Sequence, residues 1–335
     1  MKAAVLEQAA PIEDKPLRLR EVAEPTPGPS QIVIKVTACG VCRSNLHMVE
    51  GDWLPATPAR LPIIPGHEVV GTVSAVGSAV GHLSLGDRVG VQPIWSTCGG
   101  CEFCLSGREQ LCRARQITGE TLDGGYAEYM LAESAYAHPI PEGLSDAEAA
   151  PLFCPGITAY GSVSKAALSP GQKVAVLGVG GVGHMVIQMA RLTGADVYAV
   201  TRSAVHRQVA EELGAFRSHS PKGTQGSFVP DAALDAAIVF APSAASVAEA
   251  VRITKPGGRI VLGVAERVPD PIDIGDEKVI VGSVLGNRRQ MREVLDLAAA
   301  GKLRSIHADF PLDEANDVLR MLKAGEIRAR AVLVP

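Results

Sequence analysis

The sequence predicts an α/β protein that combines a mainly β domain with a doubly wound parallel sheet. Three observations support this fold class. Up to about residue 150, short alternating apolar runs are separated by turn residues; from Ala149 onward, apolar strands alternate with helical stretches; and a glycine-rich turn at residues 178–183 directly follows the first of those strands. The chain is therefore expected to fold as two domains of different architecture.

The first half has the pattern of antiparallel β structure with long loops. The runs 32–36 and 69–73 are short and rich in valine and isoleucine, and the turn-forming segments 25–29 and 86–88 punctuate them. The second half alternates strands with helices, which is typical of a parallel sheet covered on both faces. Its five predicted strands are 173–178, 196–202, 235–240, 259–264 and 279–284. A helix at 288–300, a loop, a helix at 312–324 and a strand at 329–334 complete the chain.

Composition excludes several classes of partner. The chain has 335 residues, 47% of them hydrophobic, which is enough to bury roughly three quarters of the unfolded surface. Its formal net charge is -4 and no segment concentrates Lys and Arg, so neither nucleic acid nor an anionic membrane is an expected partner. Glu7 interrupts the N-terminus before a signal-length apolar core develops, and no apolar stretch reaches about 18 residues. A cytoplasmic location is expected.

The glycine-rich turn predicts a dinucleotide-binding site. Gly178 permits the tight turn, Gly180 lets the backbone approach a pyrophosphate, and Gly183 allows the following helix to pack against the strand. Gly181 and Val182 complete the turn, and the phosphates would lie at the positive end of the helix. The alternative is a glycine-rich turn that serves packing alone.

The end of the second parallel strand favours NADP(H) over NAD(H). An NAD site usually has an Asp or Glu here, whereas this chain has Thr201, Arg202 and Ser203. Without that carboxylate nothing repels a 2′-phosphate, and Arg202, helped by Thr201, Ser203 or Arg207, could neutralise one. The alternative is that Arg202 only stacks on adenine, which would leave NAD acceptable.

All seven cysteines lie in the first half of the chain, which argues against a purely disulfide framework and for metal. Four of them form one short glycine-containing loop with the spacing C-x2-C-x2-C-x7-C. Four thiolates close a tetrahedral shell with no position left for water, so they predict a structural zinc site; an iron–sulfur cluster or disulfides are the alternatives. The four residues are Cys98, Cys101, Cys104 and Cys112.

Three further residues become candidate metal ligands when the motifs around them are considered together. Cys42, His67 and Cys154 are each, taken alone, more often buried side chains than metal ligands. However, the Gly-His-Glu motif at 66–68, the four-Cys loop, the glycine-rich turn and the element 286–288 follow one another in a known order. With these motifs the chain resembles, over essentially its whole length, the zinc-dependent alcohol dehydrogenases of the medium-chain dehydrogenase/reductase superfamily.

The resemblance implies a domain organisation and a function. A GroES-like catalytic domain would comprise residues 1–150 and 285–335 and carry both zinc ions of each chain, and a Rossmann domain would comprise 151–284. The implied reaction is reversible hydride transfer between a simple apolar alcohol and NAD(P)+. The alternative is a non-catalytic NADP- or zinc-responsive binding protein that retains the fold. A homodimer or homotetramer is expected.

The resemblance also implies roles for single residues. Cys42, His67 and Cys154 would hold the catalytic zinc and leave its fourth position open to water or substrate. Ser44 would take the substrate proton, and His47 would pass it through the cofactor ribose to solvent. The remaining implied residues are Glu68, an acid beside the zinc, and Arg43 and Arg288, which would contact the pyrophosphate.

Two features concern this chain in particular. Asn45 stands where the family usually has Asp, and it brings no negative charge to support His67, so we expect Asn45→Asp to shift the pH profile of alcohol oxidation. Trp53 and Trp95, the only tryptophans, fall where the family lines its substrate pocket, and they predict an apolar aliphatic or aromatic alcohol or aldehyde. The alternative is that both are ordinary core or interface residues.

Overall fold

The computed structural model describes residues 1–52, 60–224, 226–268 and 273–335. The chain divides into two units: Met1–Cys154 with Asn287–Pro335, and Pro155–Gly286. The predicted domain boundaries, 150/151 and 284/285, stay a prediction; the structure divides the chain after Cys154 and after Gly286. The physical reason is packing: Phe153 is fully buried, and a Cβ added to Gly90 would lie 2.2 Å from its ring.

Among its described residues, the first unit begins with nine strands and three α-helices, besides short 3-10 helices. The strands are β1 (Lys2–Leu6), β2 (Leu17–Glu21), β3 (Gln31–Gly40), β4 (Val69–Val76), β5 (Arg88–Val91), β6 (Ile94–Ser96), β7 (Gln116–Ile117), β8 (Tyr129–Glu133) and β9 (Ala137–Pro139). The helices are α1 (Arg43–Glu50), α2 (Glu102–Leu105) and α3 (Asp146–Ala149). β3 pairs antiparallel with both β4 and β8, and β4 continues to β5 and β9. The predicted antiparallel β structure is confirmed.

In its described residues, the second unit contains a six-stranded parallel sheet and four α-helices. The strands are β10 (Lys173–Leu177), β11 (Asp196–Val200), β12 (Arg217–His219), β13 (Leu234–Val239), β14 (Thr254–Leu262) and β15 (Val279–Gly282). The helices are α4 (Pro155–Ala166), α5 (Gly183–Leu192), α6 (Ala204–Glu212) and α7 (Ala244–Ile253). The strand order β12-β11-β10-β13-β14-β15 is the doubly wound Rossmann order, which confirms the predicted fold class.

The chain then returns to the first unit with α8 (Arg288–Ala299), β16 (His307–Pro311), α9 (Ala315–Ala324) and β17 (Arg330–Val334). β17 pairs antiparallel with β3, and β16 pairs parallel with β17 at the edge of a seven-stranded sheet. The strands β12 and β16 were not predicted. Both lie at sheet edges and include polar or exposed residues, so neither shows an apolar run.

The core of the first unit lies along β3 and its neighbours. Ile32, Ile34 and Val36 of β3 are buried in one cluster with Val73 and Leu333. In the part of the chain that the structure describes, no helix has the length and apolar character needed to cross a membrane.

Candidate active site

Three loops of the first unit bring the predicted catalytic zinc ligands together. Cys42 follows β3 and precedes α1, His67 lies just before β4, and Cys154 follows a short 3-10 helix at Ala150–Phe153. One ligand atom from each of these residues, and one from Glu68, lie within 4.8 Å of one another. Residues separated by up to 112 positions therefore form a single cluster.

The geometry of this cluster fits a zinc ion. Sγ of Cys42 lies 3.8 Å from Sγ of Cys154. A tetrahedral zinc with Zn–S bonds of about 2.3 Å separates two sulfur ligands by about 3.8 Å, whereas a disulfide bond is about 2.05 Å long. His67 Nε2 is buried and has no hydrogen-bond partner among the described residues. The interaction with the Cys154 thiol lowers the pKa of Cys42 well below its ordinary value, so Cys42 is prepared as a thiolate ligand.

Glu68 is an acid buried beside the two thiols. It forms a buried ion pair with Arg330 of β17, and a Cβ at Gly40 would lie 2.0 Å from Glu68 Oε2, so only glycine fits there. Burial raises the pKa of Glu68 to about 7, against the opposing charge of Arg330. Arg330 was not predicted as a site residue. The sequence signal that could have found Arg330 is a charged residue in the otherwise apolar last strand. A buried arginine requires a partner.

The two predicted proton-transfer residues lie on one face of α1. Ser44 and His47 are three positions apart, a spacing that places side chains on the same side of a helix. Ser44 Oγ donates to Cys42 Sγ at 3.2 Å, so the hydroxyl lies directly beside the ligand cluster. His47 Nδ1 lies 2.9 Å from Asp52 Oδ1. Asp52 was not predicted as a site residue, although it directly precedes Trp53 in the sequence, which was predicted as one.

Asn45 contacts His67, as its predicted role requires. Its Nδ2 lies 3.5 Å from His67 Nδ1, and its Oδ1 accepts a hydrogen bond of 3.4 Å from the Tyr126 hydroxyl. All three side chains are buried. Tyr126, like Arg330 and Asp52, was not predicted as a site residue, because it follows two glycines in a loop with no motif of its own.

The four-Cys loop also has the geometry of a metal site. Sγ–Sγ distances are 3.5 Å for Cys101 and Cys104, 3.6 Å for Cys98 and Cys112, and 4.0 Å for Cys98 and Cys104. None of these thiols forms a disulfide, and the spacings fit a tetrahedral shell of four sulfur atoms around zinc. Backbone hydrogen bonds, first of all from Gly100, lower the pKa of Cys98 to about 6.

Arg288 is engaged by residues of the first unit. Its Nη2 lies 3.0 Å from Glu109 Oε2, its Nη1 donates to the carbonyl oxygen of Ala135 at 3.0 Å, and its guanidinium lies 4.3 Å from the centre of the Tyr136 ring. These contacts connect the start of α8 with the region of the four-Cys loop. The pyrophosphate contacts of Arg288 and of Arg43 on α1 stay predictions.

The glycine-rich turn joins β10 to α5. Gly178 has a φ of +92°, which glycine adopts readily, and a Cβ at Gly183 would lie 1.9 Å from the Gly178 carbonyl oxygen. A Cβ at Gly180 would meet nothing within 4 Å, so the backbone there is open to a ligand. Gly181 and Val182 complete the turn before α5.

The residues predicted to bind the adenine ribose follow β11. Arg207 Nη1 donates to the carbonyl oxygens of Thr201 and Arg202, each at 3.0 Å, and Ser203 caps the N-terminus of α6. Arg207 therefore stabilises the turn, whereas the Arg202 side chain is exposed. The phosphate contact of Arg202 stays a prediction.

Of the two predicted substrate tryptophans, the structure describes Trp95. Trp53 lies outside the described residues. Trp95 is 8% exposed, packs in the core of the first unit and donates its indole N–H to the Leu131 carbonyl oxygen at 3.3 Å. These contacts give Trp95 a place in the core, and its part in substrate selection stays a prediction.

Comparisons with known proteins agree on one family. The family model for the alcohol dehydrogenase GroES-like domain matches residues 28–142, and that for zinc-binding dehydrogenases matches residues 181–300. An alcohol dehydrogenase of Geobacillus stearothermophilus is 40% identical over 99% of both chains.

Solved structures agree in fold over the whole chain. The alcohol dehydrogenase of Aeropyrum pernix superposes with a TM-score of 0.91, at 34% identity over 100% of both chains. A cobalt- and zinc-bound thermostable alcohol dehydrogenase of Pyrobaculum aerophilum gives 0.89, at 30% identity over 100% of this chain and 99% of that one. The chain belongs to the zinc-dependent alcohol dehydrogenases of the medium-chain dehydrogenase/reductase superfamily.

Proposed function

We propose that the protein interconverts simple apolar aliphatic or aromatic alcohols with their aldehydes or ketones, with NAD(P)(H) as the hydride carrier. The observation that carries the proposal is the convergence of Cys42, His67 and Cys154 around a buried imidazole nitrogen without a hydrogen-bond partner among the described residues. The relatives' names support an enzyme over a non-catalytic binding protein that retains the fold.

The ligand cluster determines how substrate would be activated. A zinc ion held by Cys42, His67 and Cys154 would supply Lewis acidity, which lowers the pKa of a hydroxyl placed next to it. Two thiolates would offset the formal charge of the metal. Glu68 lies in the same cluster as these ligands, and its ion pair with Arg330 compensates its negative charge.

The proton would leave along α1. Ser44 lies beside the ligand cluster and can both accept and donate through its hydroxyl group, so it is suited to take the substrate proton. His47 would take the proton further, because a neutral imidazole has a nitrogen lone pair that can accept a proton. Asp52, 2.9 Å from His47 Nδ1, would stabilise the protonated ring.

Steady-state turnover with a panel of aliphatic, aromatic and branched alcohols and aldehydes, using both cofactors at one pH, tests the proposed function. We expect turnover together with two zinc ions per chain. Zinc only in the four-Cys loop, with no turnover of any panel member, would instead support the non-catalytic binding protein.

Arg202 is expected to give the enzyme its preference for NADP(H). A charge-assisted hydrogen bond to a phosphate contributes roughly 1.5–3 kcal/mol, so Arg202→Asp should lower kcat/KM for NADP+ by about 10- to 100-fold and leave that for NAD+ much less affected. Arg217→Asp, at an exposed arginine that begins β12 and lies opposite Tyr198 of β11, serves as the control. A wild-type preference for NAD+ above tenfold would refute the assignment.

Trp95 is expected to limit the size of the substrate. Trp95→Ala should raise kcat/KM for bulky alcohols relative to ethanol, and it should also destabilise the fold by about 3–5 kcal/mol because the indole is buried. Trp95→Phe, which keeps more of the buried volume, separates the two effects. An unchanged substrate profile in both variants would leave Trp95 a core residue only.

We also propose that the protein is a cytoplasmic homodimer or homotetramer. Sedimentation equilibrium of the purified chain would distinguish these assemblies from a monomer.

A further inference from the structure

The three candidate ligands of the catalytic zinc are held in place by different kinds of structure. Cys42 follows β3 and His67 precedes β4, and these two strands pair with each other, so backbone hydrogen bonds fix the chain close to both residues. Cys154 instead follows the short 3-10 helix Ala150–Phe153, an element with weaker hydrogen-bond geometry than an α-helix. The position of Cys154 therefore depends on how this 3-10 helix packs.

The 3-10 helix is seated on the sheet of the first unit through Phe153. All four of its residues are buried, and it contacts β3, β4, β5 and β17. The Phe153 side chain is fully buried against Gly90 of β5, where a Cβ would lie 2.2 Å from both Cε2 and Cζ of the ring. Gly90 does not have a positive φ, so glycine is required here for space and not for its backbone conformation.

His138 forms a second wall against the Phe153 ring. It lies directly opposite Gly90 in the pairing of β5 with β9, so both residues belong to the same face of the sheet. The centres of the His138 and Phe153 rings are 6.1 Å apart, with the ring planes tilted by 46°, an arrangement that aromatic pairs favour. Burial, together with the charges of Arg292 and Arg288, lowers the pKa of His138 to about 4, so this wall is uncharged at neutral pH. Gly90 and His138 thus form a slot for Phe153.

The slot has no space for even one additional methyl group. Ordinary van der Waals contact begins at 3.4 Å, so a Cβ at Gly90 would require a relative movement of more than 1 Å. β5 is paired on both sides, with Val70 of β4 and His138 of β9 opposite Gly90, so Phe153 is the more mobile partner. Cys154 is the next residue in the chain. Metal–ligand distances vary by only about 0.2 Å, so a shift of this size would move the Cys154 sulfur out of bonding range.

We propose that the slot formed by Gly90 and His138 sets the position of Cys154 through Phe153, and thereby determines whether the third ligand reaches the catalytic zinc. This proposal deepens the proposed function and rests on its zinc ligands. Gly90, His138 and Phe153 are positioning residues in this account, since none of them belongs to the ligand cluster.

Zinc release from the reconstituted protein in excess chelator tests the proposal. Gly90→Ala should speed loss of the catalytic zinc by about 10- to 100-fold, the range typical of groups that support metal ligands. Phe153→Leu removes Cε2 and Cζ, the two ring atoms that the new methyl group would meet. We therefore expect Phe153→Leu alone to speed release, because it loosens the seat, and addition of Gly90→Ala to that variant to slow release again.

Two controls accompany these variants. Zinc release from the four-Cys loop, followed in the same samples, should not change. Gly81→Ala, at a glycine where a Cβ would meet nothing within 4 Å and which has no positive φ, should behave as the wild type. If Gly90→Ala alone does not fold, the comparison of Phe153→Leu with the double variant decides, because both carry the smaller side chain.

The possible results separate this proposal from the proposed function. A wild-type release rate in Gly90→Ala, or a double variant that releases the catalytic zinc no more slowly than Phe153→Leu, would overturn the slot. Two zinc ions per wild-type chain would then still support the proposed function. A wild type that holds zinc only in the four-Cys loop would overturn both.

A second readout reports the thiolates bound to the metal. In protein with cobalt in the catalytic site, the thiolate-to-cobalt charge-transfer absorption of Gly90→Ala should fall from the intensity of two bound thiolates to that of one, because Cys42 stays bound and Cys154 does not. The double variant should recover the wild-type intensity. A general loss of stability would leave that intensity unchanged in the Gly90→Ala protein that remains folded, and this result would overturn the proposal.

Discussion

Replacement of Cys42 by serine should abolish the catalytic zinc and lower alcohol turnover by at least about 10³-fold. A metal ion contributes several kcal/mol to the stabilisation of developing charge, and each 1.36 kcal/mol corresponds to a factor of ten in rate. Zinc content should fall from two ions to one per chain. The four-Cys loop should keep its ion, because it lies apart from Cys42 in the chain and shares no ligand with it.

Cys39→Ser is the matched control for this variant. Cys39 lies three positions before Cys42, is fully buried in β3, and belongs to neither ligand cluster. It packs against the region of Gly66 and Gly125, so the serine variant is expected to lose some stability and to keep both zinc ions. Loss of either ion in Cys39→Ser, or full turnover in Cys42→Ser, would contradict the assignment of the ligands.

Loss of the structural zinc should have the largest effect on stability. Cys104→Ser removes one of four ligands, and we expect the midpoint of thermal unfolding to fall by about 10 °C or more, since a structural zinc contributes its binding free energy to folding. The consequence should extend beyond the loop. Cys104 Sγ contacts Thr97, whose hydroxyl contacts Tyr136, and Arg288 lies over the ring of Tyr136.

Differential scanning calorimetry with zinc analysis checks this prediction. Ser106→Ala, two positions further along the same loop, is the control, because the Ser106 side chain is exposed and is not a ligand. An unchanged midpoint of thermal unfolding in a Cys104→Ser protein that has lost its zinc would show that the zinc in this loop does not stabilise the fold.

The sequence allowed the parallel sheet to be predicted, because buried parallel strands are continuous apolar runs and the turn at Gly178 has a distinctive spacing. The strands β12 and β16 were not predicted, because short strands at the edge of a sheet need no apolar pattern. The position of Cys154 in the first unit depends on how Phe153 packs against Gly90, and such a long-range contact leaves no local pattern.

The candidate metal ligands have stronger signals in the sequence than the residues around them. Cysteine spacing and a Gly-His-Glu motif are local signals, whereas the ion pair of Glu68 with Arg330 joins positions 262 residues apart. Asn45 was singled out by its difference from the family pattern. Its partner Tyr126 became visible only when the fold placed its hydroxyl against the amide.

Anomalous diffraction at the zinc absorption edge, on crystals of the zinc-reconstituted protein, tests the central claim most directly. We predict two peaks for each chain, one bonded to Cys42, His67 and Cys154, and one at the centre of the four-Cys loop. A single peak in the four-Cys loop, with no density beside His67 Nε2, would contradict the account of the active site.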